Sequence, residues 1–120
     1  MISPTGNGIR MDYEGSGEYG ASRGSRKHNG IDYVCQKGQA IVAPFDLVIE
    51  RIALPKMNSP LSGIKWRAVR STGKMFYFSP LPVLIGKMVK KGDVIGVAQS
   101  VSEDYGLTNM KDHIHFQIDF

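Results

Sequence analysis

Apolar and polar residues alternate along this chain in short runs that glycine or proline repeatedly interrupts, and no window repeats an apolar face at the i, i+3, i+4 spacing of a long helix. From Gly30 onward the pattern predicts strands. GIDYVC, QAIVAP after a Lys37-Gly38 turn, and FDLVIERIAL after Pro44 are all rich in branched residues and bounded by Gly or Pro. IKWRAVRS alternates, Ser71-Thr72-Gly73 turns and KMFYF returns, which predicts a hairpin. After the proline-broken SPLP come PVLIGKMV, a Lys91-Gly92-Asp93 turn, VIGVAQSV and the closing strand HIHFQIDF. Residues 1–30 sustain neither period and predict long N-terminal surface loops. KGQAIVAP and KGDVIGVA echo one another, as if one β-unit had been used twice. The class is therefore mainly β.

Length fits this with one domain over residues 1–120: a 13.2 kDa chain can bury one real core but not two. The formal charge of +4 gathers partly in RGSRK and KMVKK. It suits an anionic partner such as a cell-wall polymer, but no arginine stripe interleaved with stacking aromatics points to nucleic acid. Cys35, the single cysteine, excludes an internal disulfide, and its apolar neighbours predict a buried thiol. MISPTGNGIR lacks the apolar region of a secretory signal, and no run approaches the roughly eighteen apolar residues of a membrane span. Work outside a cytoplasm would then require delivery by something other than a cleaved signal.

Every histidine falls in one of two fragments, KHNGIDYVC and HIHFQIDF. Side chains alternate on a strand, so His113, His115 and Gln117 share one face while Ile114, Phe116 and Ile118 share the other. Asn29-Gly30 marks a turn that puts His28 on a loop and Asp32 in the strand it enters. Zinc accepts imidazole nitrogen and carboxylate oxygen, and hydrolytic sites keep three protein ligands. His28, Asp32 and one of the C-terminal pair would supply that number, the other histidine lying where it could exchange a proton or donate to an oxyanion. A plainer reading stands beside this one: Asp32 braces the turn, His28 faces solvent and the HxH is chance.

With HxxxD followed by a late HxH, the chain resembles the lysostaphin/LytM-type zinc endopeptidases. SPTGNGIR resembles that family's opening segment, RKHNGIDYVCQKGQAIVAPFDLVIE its central block, and VKKGDVIG with HIHF its closing block. The chain is also similar to leukocyte cell-derived chemotaxin, a secreted relative, in the order Tyr-x-x-x-Arg-x-x-Arg-x-His and in VC, APF and KMFY. The first resemblance implies an antiparallel barrel-sandwich hybrid fold, zinc bound by His28, Asp32 and His115, and His113 as the catalytic histidine. It further implies hydrolysis of the peptide part of bacterial peptidoglycan, and a phage or cell-envelope assembly would account for delivery to the wall. Active members carry another histidine in a Tyr-x-His segment; here FYFSPL puts Ser79 near that place. Loss of one oxyanion-type donor typically costs about a hundred- to a thousand-fold in turnover. The chemotaxin lacks that group too and is regarded as a binding protein, so a catalytically degenerate zinc module is the alternative.

Arg10, Tyr77 and Ser79 are the candidate substrate-binding residues, with surface charge, strand packing and turn formation as their plainer roles. Trp66 divides between cleft edge and core, and Asp119, on the histidine face, is a candidate for orienting an imidazole. A third reading, a biotinyl or lipoyl carrier, rests on APFDLVI and VKKGDVIG but lacks the modifiable lysine at a hairpin tip.

Overall fold

Hairpins joined by tight turns build nearly all of this structure, a computed structural model that describes residues 1–12, 15–23, 26–27 and 30–119. Two small ladders come first: β1 (Met11–Asp12) with β2 (Gly15–Ser16), and β3 (Ser22–Arg23) with β4 (Arg26–Lys27). Each strand has two residues, too few to show an alternating period, which is why residues 1–30 read as loop. There follow β5 (Ile31–Val34), β6 (Ala40–Val42), β7 (Leu47–Ile52), β8 (Gly63–Arg67), β9 (Thr72–Phe76) and β10 (Phe78–Pro80). After a 3-10 turn at Pro82–Leu84 come β11 (Met88–Val89), β12 (Val94–Ala98), α1 (Val101–Tyr105) and β13 (His113–Asp119).

The strands form a six-stranded antiparallel sheet in the order β11-β7-β8-β9-β13-β5 and a three-stranded one in the order β10-β12-β6. The larger sheet is open, with β11 and β5 as its edges, so the barrel suggested by the family resemblance does not close. Ile49, Ile64, Trp66, Met75, Ile114 and Phe116 from the large sheet meet Ile41, Phe78 and Ile95 from the small one in a single core. Trp66 belongs to that core: it is fully buried and stacks on Phe116 at 5.5 Å, with Phe45 edge-on to both rings.

The two echoed segments are partners. Gly38 N–H donates to Ala98 O and Gly92 N–H to Ala43 O, while Ala98 N–H donates to Gln39 O and Ala43 N–H to Asp93 O. Each Lys-Gly turn is thus closed by the last alanine of the other copy, a local two-fold relation that was visible in the sequence as repetition. The longer copy absorbs its additional residue as a bulge between Val94 and Gly96.

Two predicted strands are shorter than their apolar runs. PVLIGKMV becomes the 3-10 turn plus β11, because Pro82 opens the turn and Gly86, at φ 83°, redirects the chain. VIGVAQSV stops at Ala98, because the Ser100 side chain accepts a hydrogen bond from Glu103 N and caps α1, which Gly106 ends in the left-handed region.

Candidate metal centre

β13 lies between β9 and β5, so its polar face is flanked on both sides. Ile114 and Phe116 enter the core, and the alternation turns His113, His115 and Gln117 to the opposite face of the sheet. The antiparallel register places His115 opposite Asp32 on one side and Phe76 on the other. The HxH strand and the HxxxD strand are therefore neighbours. All three polar groups are buried: Asp32 is 2% exposed, His113 4% and His115 8%.

Hydrogen bonds fix which ring nitrogen carries a proton. Gln117 donates its amide to Asp119 Oδ1 at 2.6 Å, which turns its Oε1 toward His115 Nε2 at 2.9 Å. His115 Nε2 is then the donor, and Nδ1 faces Asp32 Oδ1 at 3.0 Å. An imidazole nitrogen and a carboxylate oxygen face each other there, close enough to share a hydrogen bond or a cation. His113 is arranged in the other sense. Its Nδ1 donates to Lys111 O at 2.9 Å and its Nε2 stands 3.5 Å from Asp32 Oδ2. Burial pushes the His113 imidazole below its ordinary range, against the pull of Asp32.

The surroundings hold the trio in place. Arg10, 2% exposed, directs Nε to Asp32 Oδ2 at 3.3 Å and Nη1 to Asp12 Oδ1 at 3.0 Å. Phe76 stacks on His115 at 6.0 Å, and Tyr77 meets His113 edge-on at 5.3 Å. Tyr77 takes a left-handed backbone, φ 81°, unusual for an aromatic residue. Burial, together with Tyr105, raises its hydroxyl above the ordinary phenol range, so it remains a protonated donor. Gly30 lies over His115: a Cβ there would stand 2.7 Å from Cε1, which only glycine avoids.

Of the residues singled out in the sequence, Asp32, His113 and His115 converge, with Arg10 and Tyr77 in contact around them. His28 lies outside the described residues. Ser79 is exposed on β10 opposite Val97. Among the described residues no set of three His, Cys, Asp or Glu side chains is spaced to hold a metal ion. Asp32 and His115 contribute a carboxylate oxygen and an imidazole nitrogen facing each other, a pair whose chemistry suits zinc. Gln117 had no role in the sequence reading; the signal for it was its place two residues beyond His115 on the same face. Asp119 acts one step further out, through Gln117.

No protein-family model matches the chain. It is 29% identical over 118 residues to leukocyte cell-derived chemotaxin-2 of Mus musculus, covering 96% of this chain and 76% of the relative. With the protein of the same name from Bos taurus it shares 30% identity over 114 residues, 92% of this chain and 73% of the relative. Agreement of that extent reaches from the N-terminal segment through the histidine strand, and the chain belongs to the leukocyte cell-derived chemotaxin-2 family.

Proposed function

We propose that this protein is a zinc-binding recognition module on a LytM-type scaffold, which takes up extended peptide over the Asp32–His115 pair. The supporting observation is the meeting of His115 Nδ1 with Asp32 Oδ1 at 3.0 Å, when Gln117 already occupies the opposite ring nitrogen. Asp32 and His115, with His28 as the third ligand expected from the HxxxD spacing, would hold the ion. Bound there, zinc would supply Lewis-acid polarisation of a peptide carbonyl. The chain's own groups do the rest: Gln117 fixes the His115 tautomer, Arg10 orients Asp32, and Tyr77 braces the His113 ring. The relatives bear the name of a chemotaxin, which favours recognition over degradation.

A second reading, an endopeptidase acting on peptidoglycan after delivery by a phage or cell-envelope assembly, is favoured by one observation. His113, whose imidazole burial pushes below its ordinary range, stands with Nε2 3.5 Å from the same carboxylate, where it could exchange a proton. Exposed Ser79, in the segment where active enzymes carry another histidine, weighs against it.

Metal content of protein purified without chelator tests the first proposal: about one zinc per chain, lost in Asp32→Ala and His115→Ala. Equal zinc in wild type and variants would refute it. Digestion of purified cell walls, scored by new amino termini, separates the readings. Release abolished by His113→Ala supports the enzyme, whereas no release, even from Ser79→His, leaves recognition as the function.

A further inference from the structure

The sheet face that carries the histidines continues beyond them in register. Gly63, Phe76, His115 and Asp32 form one row across β8, β9, β13 and β5, and Arg51, Lys65, Lys74 and Gln117 form the next across β7, β8, β9 and β13. A recess of about 360 Å³ opens on this second row, bounded by Arg51, Lys74 and Gln117, with Leu54, Pro55 and Phe76 on its apolar side. Its cations differ in their engagement. Glu50 takes Lys65 at 3.4 Å and Arg67 at 2.9 Å. Among the described residues neither Arg51 nor Lys74 enters an ion pair, although both line the recess. Asp119, a further carboxylate on this face, lies one row further along and accepts the Gln117 amide.

We propose that this recess is a carboxylate subsite, in which Arg51 and Lys74 hold an acidic side chain of the extended peptide whose neighbouring segment covers Asp32 and His115. The proposal rests on the recognition reading above and names the chemical class of the ligand. Two arguments carry it. A guanidinium and an ammonium bordering a polar hollow with an apolar wall match a short carboxylate side chain, the guanidinium keeping donors beyond the one Arg51 Nη1 gives Ile52 O at 3.2 Å, and charge-assisted bonds of this kind are the strong ones. Adjacent rows on one face of a sheet lie two residues apart, roughly 7 Å, which is also the spacing of same-side side chains on an extended peptide. An acidic residue two positions from the one over His115 would therefore bring its carboxylate above Lys74.

The test uses the full chain, nitrogen-15 labelled, titrated with N-acetylated, C-amidated Gly-Gly-Gly-Asp-Gly and with its Asn counterpart. We expect the Asp peptide to bind about tenfold tighter at low salt, with shifts centred on the Lys74, Phe76 and Gln117 amides. The preference should vanish in the double variant Arg51→Gln, Lys74→Gln, whose changes lie on a solvent-accessible face and whose fold is checked by its amide spectrum. Equal binding of the two peptides, a preference that survives the double variant, or no binding of either at millimolar concentration would overturn the subsite. Zinc analysis of the unaltered chain in the same titration separates this proposal from the metal reading. An Asp preference in unaltered protein that holds no zinc would remove the metal centre and leave the subsite standing.

Discussion

Gln117→Met is the sharpest probe of the histidine arrangement, because methionine nearly matches glutamine in volume and removes only the polar atoms. In the wild type Gln117 Oε1 accepts from His115 Nε2 at 2.9 Å, and its amide donates to Asp119 at 2.6 Å. Gln117 is 9% exposed, so water does not readily replace that acceptor. Removing the partner of a buried donor costs about 1–3 kcal/mol. The effect on metal affinity is more specific. Groups that hold a ligating histidine from behind typically contribute about 10- to 100-fold in affinity, or about 1.4–2.7 kcal/mol. We expect zinc affinity, measured by competition with a calibrated chelator, to fall within that range. Imidazole nitrogen-15 shifts should show His115 losing its fixed Nε2–H tautomer. Gln117→Glu should move affinity the other way, since a carboxylate accepts more strongly from Nε2–H. If Gln117→Met binds zinc within about twofold of the wild type and keeps the tautomer, the reasoning from hydrogen bonds to metal site is wrong.

Three further changes follow from the packing. Gly30→Ala would place a Cβ 2.7 Å from His115 Cε1 and 2.5 Å from Phe116 O; urea unfolding should show a loss of about 1–3 kcal/mol, accompanied by weaker zinc binding. Burial first, and Asp112 second, push the Cys35 thiol up to about 12. A pKa raised by folding means stability is intact below the ordinary thiol range near 8.5 and declines as pH climbs from there toward 12. Iodoacetamide at pH 8 should accordingly modify native Cys35 no faster than the chain opens, and rapid labelling would contradict its burial. Ser100→Ala removes the α1 cap and should cost about 1 kcal/mol by thermal melting, with zinc binding unchanged.

Much of the architecture could be read from the sequence because the signals were local. The IKWRAVRS and KMFYF pair became β8 and β9, and the two Lys-Gly turns sit at Gly38 and Gly92 with φ of 86° and 90°. The convergence of Asp32 with the HxH pair was foreseeable only as a hypothesis, since it depends on β5 and β13 choosing each other across 83 residues of chain. Alternation alone correctly assigned the histidines to one face of β13. It could not show that both faces of this strand are buried, because that depends on what the N-terminal segment does. Nor could it distinguish a two-residue ladder such as Met11–Asp12 with Gly15–Ser16 from a loop: such ladders are held by backbone hydrogen bonds that leave no apolar pattern.

That N-terminal segment resolves an apparent conflict of charge at the centre. A guanidinium beside a cation-binding carboxylate would oppose the cation, yet Arg10 lies 3.3 Å from Asp32. Asp12 answers it: both of its carboxylate oxygens accept from Arg10 Nη1, at 3.0 and 3.2 Å, so the arginine's charge is shared between two carboxylates and not set against Asp32 alone. Asp12 Oδ2 also accepts from Lys111 N at 2.7 Å, tying this segment to the approach to β13. Arg10 N–H donates to Asp32 O at 2.7 Å, Gly17 N–H to Arg10 O and Asp32 N–H to Gly17 O, so Arg10 and Gly17 both lie along the outer edge of β5. The result is a carboxylate with Oδ2 set against Arg10 and Oδ1 set against His115, its rotamer fixed from two sides. Arg10 is therefore better understood as positioning Asp32 than as meeting a ligand from solvent, and cutting away the first seventeen residues should disorder the centre even though the histidine strand would remain intact.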